Sequence, residues 1–397
     1  MSHEAKPLGG RIFTPTFCFC LLIVAIAGYF AVKRFVYGIG SISNMNDGFP
    51  WGIWIAYDVV VGTAFACGGY VMALLVYILN KGEYHPLVRP ALLASMFGYT
   101  LAGLSVFLDI GRYLNAYNLY LPWQMNFHSV MFEVAMCIGT YIFVLWIEFT
   151  PAFVEKWGLK NFGKRLNKVI FAVIALGVLL PTMHQSSLGT MMLMAGYKLS
   201  PLWHTSMLPL LFLLTAIIMG FSMVVFEATI SSRVYELGDE TSMLSKIARI
   251  ITYVLGFYLV IRFQNIFMRG EMSTVFSGTF LGNMFLLENF MMLLGFILLV
   301  YPGNRSNPRL LFIAAVCVLV GGSLYRFNTY IIGFDPGTGW KYFPSIGEQM
   351  ITYGLIAFEI AMYTLFVKIF PVFTGHAEPV GREAQDAFMT EQQLTEN

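Results

Sequence analysis

Residues 205–231 read TSMLPLLFLLTAIIMGFSMVVFEATIS, a run of 27 positions holding one ionisable side chain, Glu227. An α-helix rises about 1.5 Å per residue and a bilayer core is about 30 Å thick, so about 20 apolar residues in succession span it. A surface helix of a soluble protein shows an apolar stripe, whereas this run is apolar on every face. It predicts a transmembrane helix. Working outward, nine more stretches have the same character: 15–36, 51–80, 88–111, 127–150, 167–190, 246–268, 279–301, 309–332 and 346–371.

The whole composition agrees. Of 397 residues, 57% are hydrophobic and 12% charged, against about 25% charged in soluble domains. The expectation is an all-α polytopic membrane protein of about ten transmembrane helices. Residues 1–14 form a cytoplasmic N-terminal segment, 15–371 the membrane domain and 372–397 a polar, disordered cytoplasmic tail. The first fifteen residues are polar and the apolar run after them is followed by others, so no signal peptide is expected. A net charge of +2 argues against nucleic acid as a partner.

Lysine and arginine in the connections set the orientation. One side collects sixteen of them, including Lys156, Lys160, Lys164, Arg165 and Lys168; the other holds Lys33, Arg34, Arg112, Lys198, Arg269 and Lys341. Both termini are therefore expected in the cytoplasm, with Lys33 and Arg34 snorkelling to the outer surface. The outer loops are rich in Gly, Pro and aromatics, a composition suited to a docking platform. Trp51, Trp123, Trp203 and Trp340 fall where interfacial belts occur.

Charge at membrane depth is costly, so ionisable groups inside spans face the bundle interior and are functional suspects. Asp58, Asp109, Glu133, His184, Arg262, Glu288 and Arg326 fall in the outer halves of their spans, with Arg112 at the outer edge. Two structural pairings compete with a functional reading: Asp109 with Arg112, three residues apart, and Glu288 with Arg326 on sequential helices. His184 lies inside an apolar run just after Pro181. Its polar neighbours either repair the kinked backbone or form a site where a polar head group meets an imidazole able to exchange a proton. Glu133 has no Lys or Arg within four residues and suits proton transfer. Tyr99 and Glu359 near mid-membrane and Glu227 a turn from the inner face would bridge the cytoplasm to the outer cluster. The small residues Ala94, Gly98 and Ala102 repeat at helical spacing and predict close helix packing.

Several chemistries have no signal. The five cysteines form no C-x-x-C, so neither an iron–sulfur cluster nor a zinc site is expected, and no metal. Five of the six histidines lie in loops, helix ends or tails, which makes two-histidine haem ligation hard to build. Phosphate loops and nucleophile elbows are missing too.

The runs GFPWGIWIAYD (48–58), YHPLVRPALLASMFGY (84–99), LDIGRY (108–113) and above all LPTMHQSSLG (180–189) resemble the NrfD (polysulfide reductase membrane subunit) family. Within it they are most similar to the integral membrane subunits of periplasm-facing [NiFe] hydrogenases, in consistent order from about Pro7 to Pro371. The resemblance implies two four-helix bundles plus extra helices in the bacterial inner membrane, without haem or an iron–sulfur cluster in this chain. It implies electron exchange between a periplasmic ferredoxin-like iron–sulfur subunit and menaquinone, beside the hydrogenase large and small subunits, with coupling to proton movement. On matching motifs His184, Glu133, Tyr99 and Glu227 would be the quinone and proton residues. His184 would hold a quinone oxygen in a pocket shaped by Asp58, Asp109 and Arg112, and protons would pass through Glu133, Tyr99, Glu227 and Glu359. The alternatives are the membrane subunit of another periplasmic redox complex, such as a sulfite-linked one, and a proton-coupled secondary transporter.

Overall fold

The computed structural model describes residues 5–374 apart from Asn167, Asp239 and Thr338. The tail expected to be disordered lies, from Gly375 onward, outside the described residues. Ten helices among those described are long and apolar enough to cross a bilayer. They are α1 (Pro15–Tyr37), α2 (Trp54–Ile78), α3 (Gly82–Asp109), α4 (Val130–Trp157), α5 (Ile170–Met194), α6 (Leu208–Val234), α7 (Thr241–Met268), α8 (Phe280–Val300), α9 (Pro308–Ile332) and α10 (Ile346–Ile369). An even number of spans puts both ends of the chain on one side. There Ala5–Lys6 (β1) and Phe373–Thr374 (β2) pair antiparallel, the one sheet pairing among the described residues.

Helix ends are closed by side chains that satisfy the first free N–H groups. Thr14 caps α1, Ser129 caps α4, Thr279 caps α8 and Asn307 caps α9. At α10 Ser345 and Glu348 form a reciprocal capping box. α4 ends at Gly158, whose φ of +64° is the left-handed conformation that favours glycine.

α2 to α5 pack as one four-helix bundle and α6 to α9 as a second, joined mainly where α6 lies on α5 and α2; α1 and α10 pair with each other and rest against α3. α2 is the axis of the molecule, with 83% of its most apolar window buried inside the protein against 17% for α1. Close approach is set by small residues. A Cβ added at Gly220 of α6 would stand 2.8 Å from the Cys67 carbonyl oxygen of α2, and one at Gly98 would stand 2.7 Å from the Ala66 Cβ. The second contact assigns the Ala94–Gly98–Ala102 stripe to packing of α3 on α2.

α2 is not a regular helix. Wide, π-helical turns occupy Trp54–Val59 and Leu74–Ile78, and such turns leave carbonyls without their usual partners. Arg326 of α9 meets this need. Its guanidinium donates to the Val60 carbonyl (2.8 Å), the Phe212 carbonyl (2.6 Å) and the Thr215 hydroxyl (3.1 Å), tying α9 to α2 and α6. Arg326 is therefore bonded to backbone, not paired with Glu288.

Two further expectations are corrected. Arg34 does not snorkel: it is 1% exposed, donating to the Leu108 carbonyl at 2.7 Å and to the Ile110 carbonyl, so it terminates α3. Of the four tryptophans expected at interfaces, Trp51 and Trp203 are buried. The Trp51 indole donates to the Tyr330 carbonyl (2.9 Å) and the Trp203 indole to Glu288 (3.1 and 3.2 Å). An indole N–H that finds a buried acceptor gains more there than at the interface.

Candidate functional site

The run from Leu180 to Gly189 is polar for a membrane helix, and the local geometry shows how α5 tolerates it. Thr182, Ser186 and Thr190 each return a hydroxyl to the carbonyl four residues earlier, at 2.8, 3.1 and 3.2 Å. Backbone polarity around Pro181 is thus absorbed within the helix. His184 takes part through Nδ1, 3.0 Å from the Leu180 carbonyl. A carbonyl only accepts, so Nδ1 carries the proton. In the neutral ring Nε2 is then an acceptor.

Nε2 faces the bundle interior. The Tyr99 hydroxyl of α3 lies 3.0 Å away and the Gln185 amide nitrogen 3.1 Å away. The Tyr99 oxygen is also 3.5 Å from the Cys67 sulfur of α2. Because Tyr99 donates to the imidazole, Cys67 is the donor to Tyr99. Gln185 donates on to Thr63 of α2 at 3.0 Å, and its own Oε1 is buried without a hydrogen-bond partner. His184, Gln185, Tyr99, Cys67 and Thr63 are all fully buried. The two readings of His184 divide between its nitrogens: Nδ1 serves the backbone, while Nε2 ends a hydrogen-bonded series from Cys67 through Tyr99.

Glu133 joins the same site from α4. Its Oε1 accepts from the Ser187 hydroxyl at 2.8 Å, and Ser187 sits one turn outward of His184 on the same face. Glu133 is only partly buried, on the rim of the bundle. The carboxyl, the serine and the imidazole therefore step from the rim to the interior.

Asp58, Asp109 and Arg112 do not join them. Asp58 accepts from Ser105 of α3 and Thr352 of α10, each at 3.1 Å, on the side of α2 that faces α10. Asp109 is near Glu348 and Arg34, and its Oδ1 is buried with no hydrogen-bond partner. α3 ends at Asp109, so Arg112 lies beyond the helix, exposed, and among the described residues no ion pair links the two. The single layer read from the sequence thus breaks up, with an imidazole site inside the first bundle and a carboxylate cluster between α2, α3 and α10 as two of its parts. Glu348, which sequence reasoning missed, belongs to the second. It accepts from the Asn44 N–H (2.9 Å), the Ser345 N–H (2.8 Å) and the Tyr342 hydroxyl (2.7 Å). Burial first, and then the adjoining carboxylate, push the Tyr342 phenol up, so it stays a donor.

A third cluster fills the second bundle. Arg262 of α7 pairs with Glu288 of α8 at 2.9 Å, both 1% exposed or less. The carboxylate also accepts from Asn328 at 2.7 Å and from Trp203. Glu288 thus has an ion-pair partner, as expected, but it is Arg262.

On the side of the termini, Glu227 of α6 accepts from Ser231 at 3.1 Å and from the Tyr363 hydroxyl of α10. Glu359 is one turn from Tyr363 on the same face of α10, and its Oε1 lies 3.3 Å from where a Cβ on Gly98, next to Tyr99, would stand. Glu227, Tyr363 and Glu359 therefore lie together along α10 and reach the Gly98 face of α3, with Tyr363 the member the sequence did not single out. Thr63 was also missed, while in the sequence Cys67 reads as a packing residue and Gln185 as one of the polar neighbours of His184 near the kink.

Comparison with known proteins places the chain. Residues 41–334 match the family model described as polysulphide reductase, NrfD. The probable Ni/Fe-hydrogenase 2 b-type cytochrome subunit of Escherichia coli (strain K12) is 46% identical over 94% of this chain and 96% of its own length. The menaquinone reductase integral membrane subunit of Nitratidesulfovibrio vulgaris is 27% identical over 88% of this chain and 89% of its own. A selenate reductase subunit of Mesobacillus selenatarsenatis is 20% identical over 88% of this chain and 95% of its own.

Proposed function

This chain belongs to the NrfD family of integral membrane proteins, and from that premise we propose that it is the quinone-reactive membrane subunit of a hydrogenase complex. The observation that carries the proposal is the buried Tyr99–His184 hydrogen bond with Glu133–Ser187 one turn outward. A quinone becomes a quinol by gaining two electrons and two protons, so its site needs proton donors that hold their hydrogen bonds away from water. His184, Tyr99 and Glu133 supply that chemistry. Head groups enter past Glu133 and Ser187, and each proton passes from Tyr99 to His184 Nε2 and on to the head group.

Electrons come from outside the chain. A periplasmic ferredoxin-like iron–sulfur subunit, serving the small and large subunits of a [NiFe] hydrogenase, delivers them. The outer surface suits such docking: loop 38–51 is bonded to loop 333–345 through Asn44 and Asn46. Large side chains stand exposed there, Trp123 at 76% and Phe343 at 76% among them. The excess of Lys and Arg on the terminus side supports cytoplasmic termini in a bacterial inner membrane. Menaquinone is the proposed quinone, as the name of the N. vulgaris relative states for that protein. The three relatives' names differ in catalytic partner, and the 46% identity favours the hydrogenase.

A b-haem, which the name of the E. coli relative implies, does not fit these residues. Among the described histidines only His184 lies within the apolar body of a spanning helix, and both its nitrogens are engaged, by Leu180 and by Tyr99 with Gln185. No step here involves haem. Asp58, Asp109 and Glu348 form a separate outer polar cluster that positions α10 against α2 and α3, and Glu227, Tyr363 and Glu359 offer protons a route from the cytoplasm.

The test is hydrogen-dependent reduction of a menaquinone analogue by the purified complex, with and without this chain. The proposal expects quinone reduction only when the chain is present, with hydrogen oxidation by an artificial dye unaffected. Purification of the chain without any redox partner, or quinone reduction in its absence, refutes it.

A further inference from the structure

The inner half of the first bundle holds a cavity of about 140 Å³ lying between α2, α3, α4 and α5, lined by Tyr77, His85, Arg89, Leu92, Glu148 and Ile174 among others. That volume accommodates on the order of four or five waters. Of the lining, His85 is exposed in the turn that opens α3 on the side of the chain termini, and Arg89 is paired there with Glu155 at 2.5 Å. Glu148 of α4 reaches in with its Oε1 buried and without a hydrogen-bond partner. Room for this carboxyl comes from Gly177 of α5, since a Cβ there would stand 3.1 Å from the carboxyl carbon and closer still to Oε1. The three heavy atoms nearest that Cβ all belong to the Glu148 carboxyl, and an apolar pair would fill the same gap at lower cost than an unpaired carboxyl.

Glu148 is also aligned with the His184 site. Tyr141 lies two turns outward on the same face of α4, within electrostatic reach of Glu148, Cys67 and Tyr70. The Tyr141 ring meets Tyr99 edge-on, centroids 4.6 Å apart. On α2 the Tyr70 hydroxyl lies within hydrogen-bond distance, 3.0 Å, of the Thr182 hydroxyl of α5. A layer of hydroxyls thus separates the cavity from Tyr99.

Resting on the quinone function proposed above, we propose that this cavity is a water-filled inlet from the cytoplasm and that Glu148 is the carboxyl that loads protons from it for the His184 site. The step balances. Two electrons from the outer iron–sulfur partner and two protons, each passed from Tyr99 through His184 Nε2, convert quinone to quinol. Each proton is replaced from the Glu148 carboxylic acid through the hydroxyl layer, and the resulting carboxylate regains one from cavity water. Electrons then enter from one side and protons from the other, so each electron transferred moves one charge across the membrane. The route lies inside the first bundle, on the other side of α3 from Glu227, Tyr363 and Glu359.

Two measurements on the assembled complex in inverted membrane vesicles test the inlet. Ala73 also lines the cavity and Cys18 is an exposed cysteine; Ala73→Cys, made with Cys18→Ser, reads hydration of the cavity through labelling by a membrane-impermeant methanethiosulfonate, independently of turnover. Labelling from the cytoplasmic side is expected; a thiol that resists it overturns the inlet. Glu148→Gln is expected to slow hydrogen-dependent quinone reduction at least tenfold and to collapse the potential it builds. Dye-linked hydrogen oxidation stays intact, and Glu148→Asp recovers part of the loss. A Glu148→Gln complex with wild-type quinone reduction and potential overturns the role of Glu148. If Glu148→Gln does not assemble, Gly177→Ala, which crowds the carboxyl, is read in its place and must show the same selective loss. A wild-type complex that reduces no quinone refutes the function proposed above instead, and the labelling result alone then decides the inlet.

Discussion

Replacing Glu288 by Gln removes the carboxylate paired with Arg262, and the arrangement of the pair makes its cost asymmetric. Both side chains are fully buried, so breaking the pair from one side leaves a charge uncompensated, typically at about 3–5 kcal/mol. In Glu288→Gln the orphan is a guanidinium that stays protonated in proteins, and its Nε and Nη1 already lack hydrogen-bond partners. The full cost of about 3–5 kcal/mol is expected. In Arg262→Met the orphan is a carboxylate that still accepts from Asn328 and Trp203 and is free to take up a proton. There the loss is expected to be about 1–3 kcal/mol, in the range for disrupting a buried hydrogen bond. The double variant Arg262→Met/Glu288→Gln leaves no orphan charge and should be more stable than Glu288→Gln alone, a coupling of about 2 kcal/mol. Equilibrium unfolding in mixed dodecylmaltoside–SDS micelles measures all three. Equal costs for the two single variants, or strict additivity in the double variant, would refute the reasoning. Because the pair lies in the second bundle and touches neither His184 nor Tyr99, the double variant should keep quinone-linked turnover.

Three more outcomes follow from the geometry. Tyr99→Phe removes the donor to His184 Nε2 and should slow quinone reduction by about 10²-fold, the lower end for general acid–base groups, while dye-linked hydrogen oxidation is unchanged; an unaffected quinone rate counts against the relay. Gly220→Ala forces a methyl group against the Cys67 carbonyl, and overpacking of this kind should cost about 1–3 kcal/mol in the same unfolding assay, where an unchanged midpoint would show that α6 and α2 separate freely. Arg34→Met strips the Leu108 and Ile110 carbonyls of a charged donor and should cost about 3–6 kcal/mol, each of the two bonds being worth about 1.5–3 kcal/mol. Retention of wild-type stability would instead fit a snorkelling Arg34.

Much of this fold is legible in the sequence because lipid leaves so few alternatives: a run such as 205–231 has nothing else to become. The ten expected stretches correspond to α1–α10, with ends displaced where turns do not read as apolar, as at Gly82–Leu87. The positions of the charged residues are legible too, but their partners are not. Arg326 reads as a mate for Glu288 because spacing reports adjacency of helices and says nothing of which carbonyls a π-helical α2 leaves open. Arg34 reads as a snorkelling residue because its neighbour Lys33 is charged, yet the end of α3 supplies two carbonyls that no sequence signal marks. His184 and Glu133 stand out as ionisable groups in apolar runs and are linked through Ser187. Asp58 and Asp109 stand out for the same reason but turn toward α10, since depth along a helix does not fix the face a residue occupies. Glu348 is hidden by its place in a capping box, and Glu148 by its nearness to the inner end of α4.

The central claim is that His184 works at the quinone step, and the most direct measurement is hydrogen-dependent quinone reduction by membranes carrying His184→Ala with the complex still assembled. The account predicts that quinone reduction is lost while dye-linked hydrogen oxidation remains. Quinone reduction at the wild-type rate would contradict it and would leave His184 with only its Nδ1 bond to the Leu180 carbonyl.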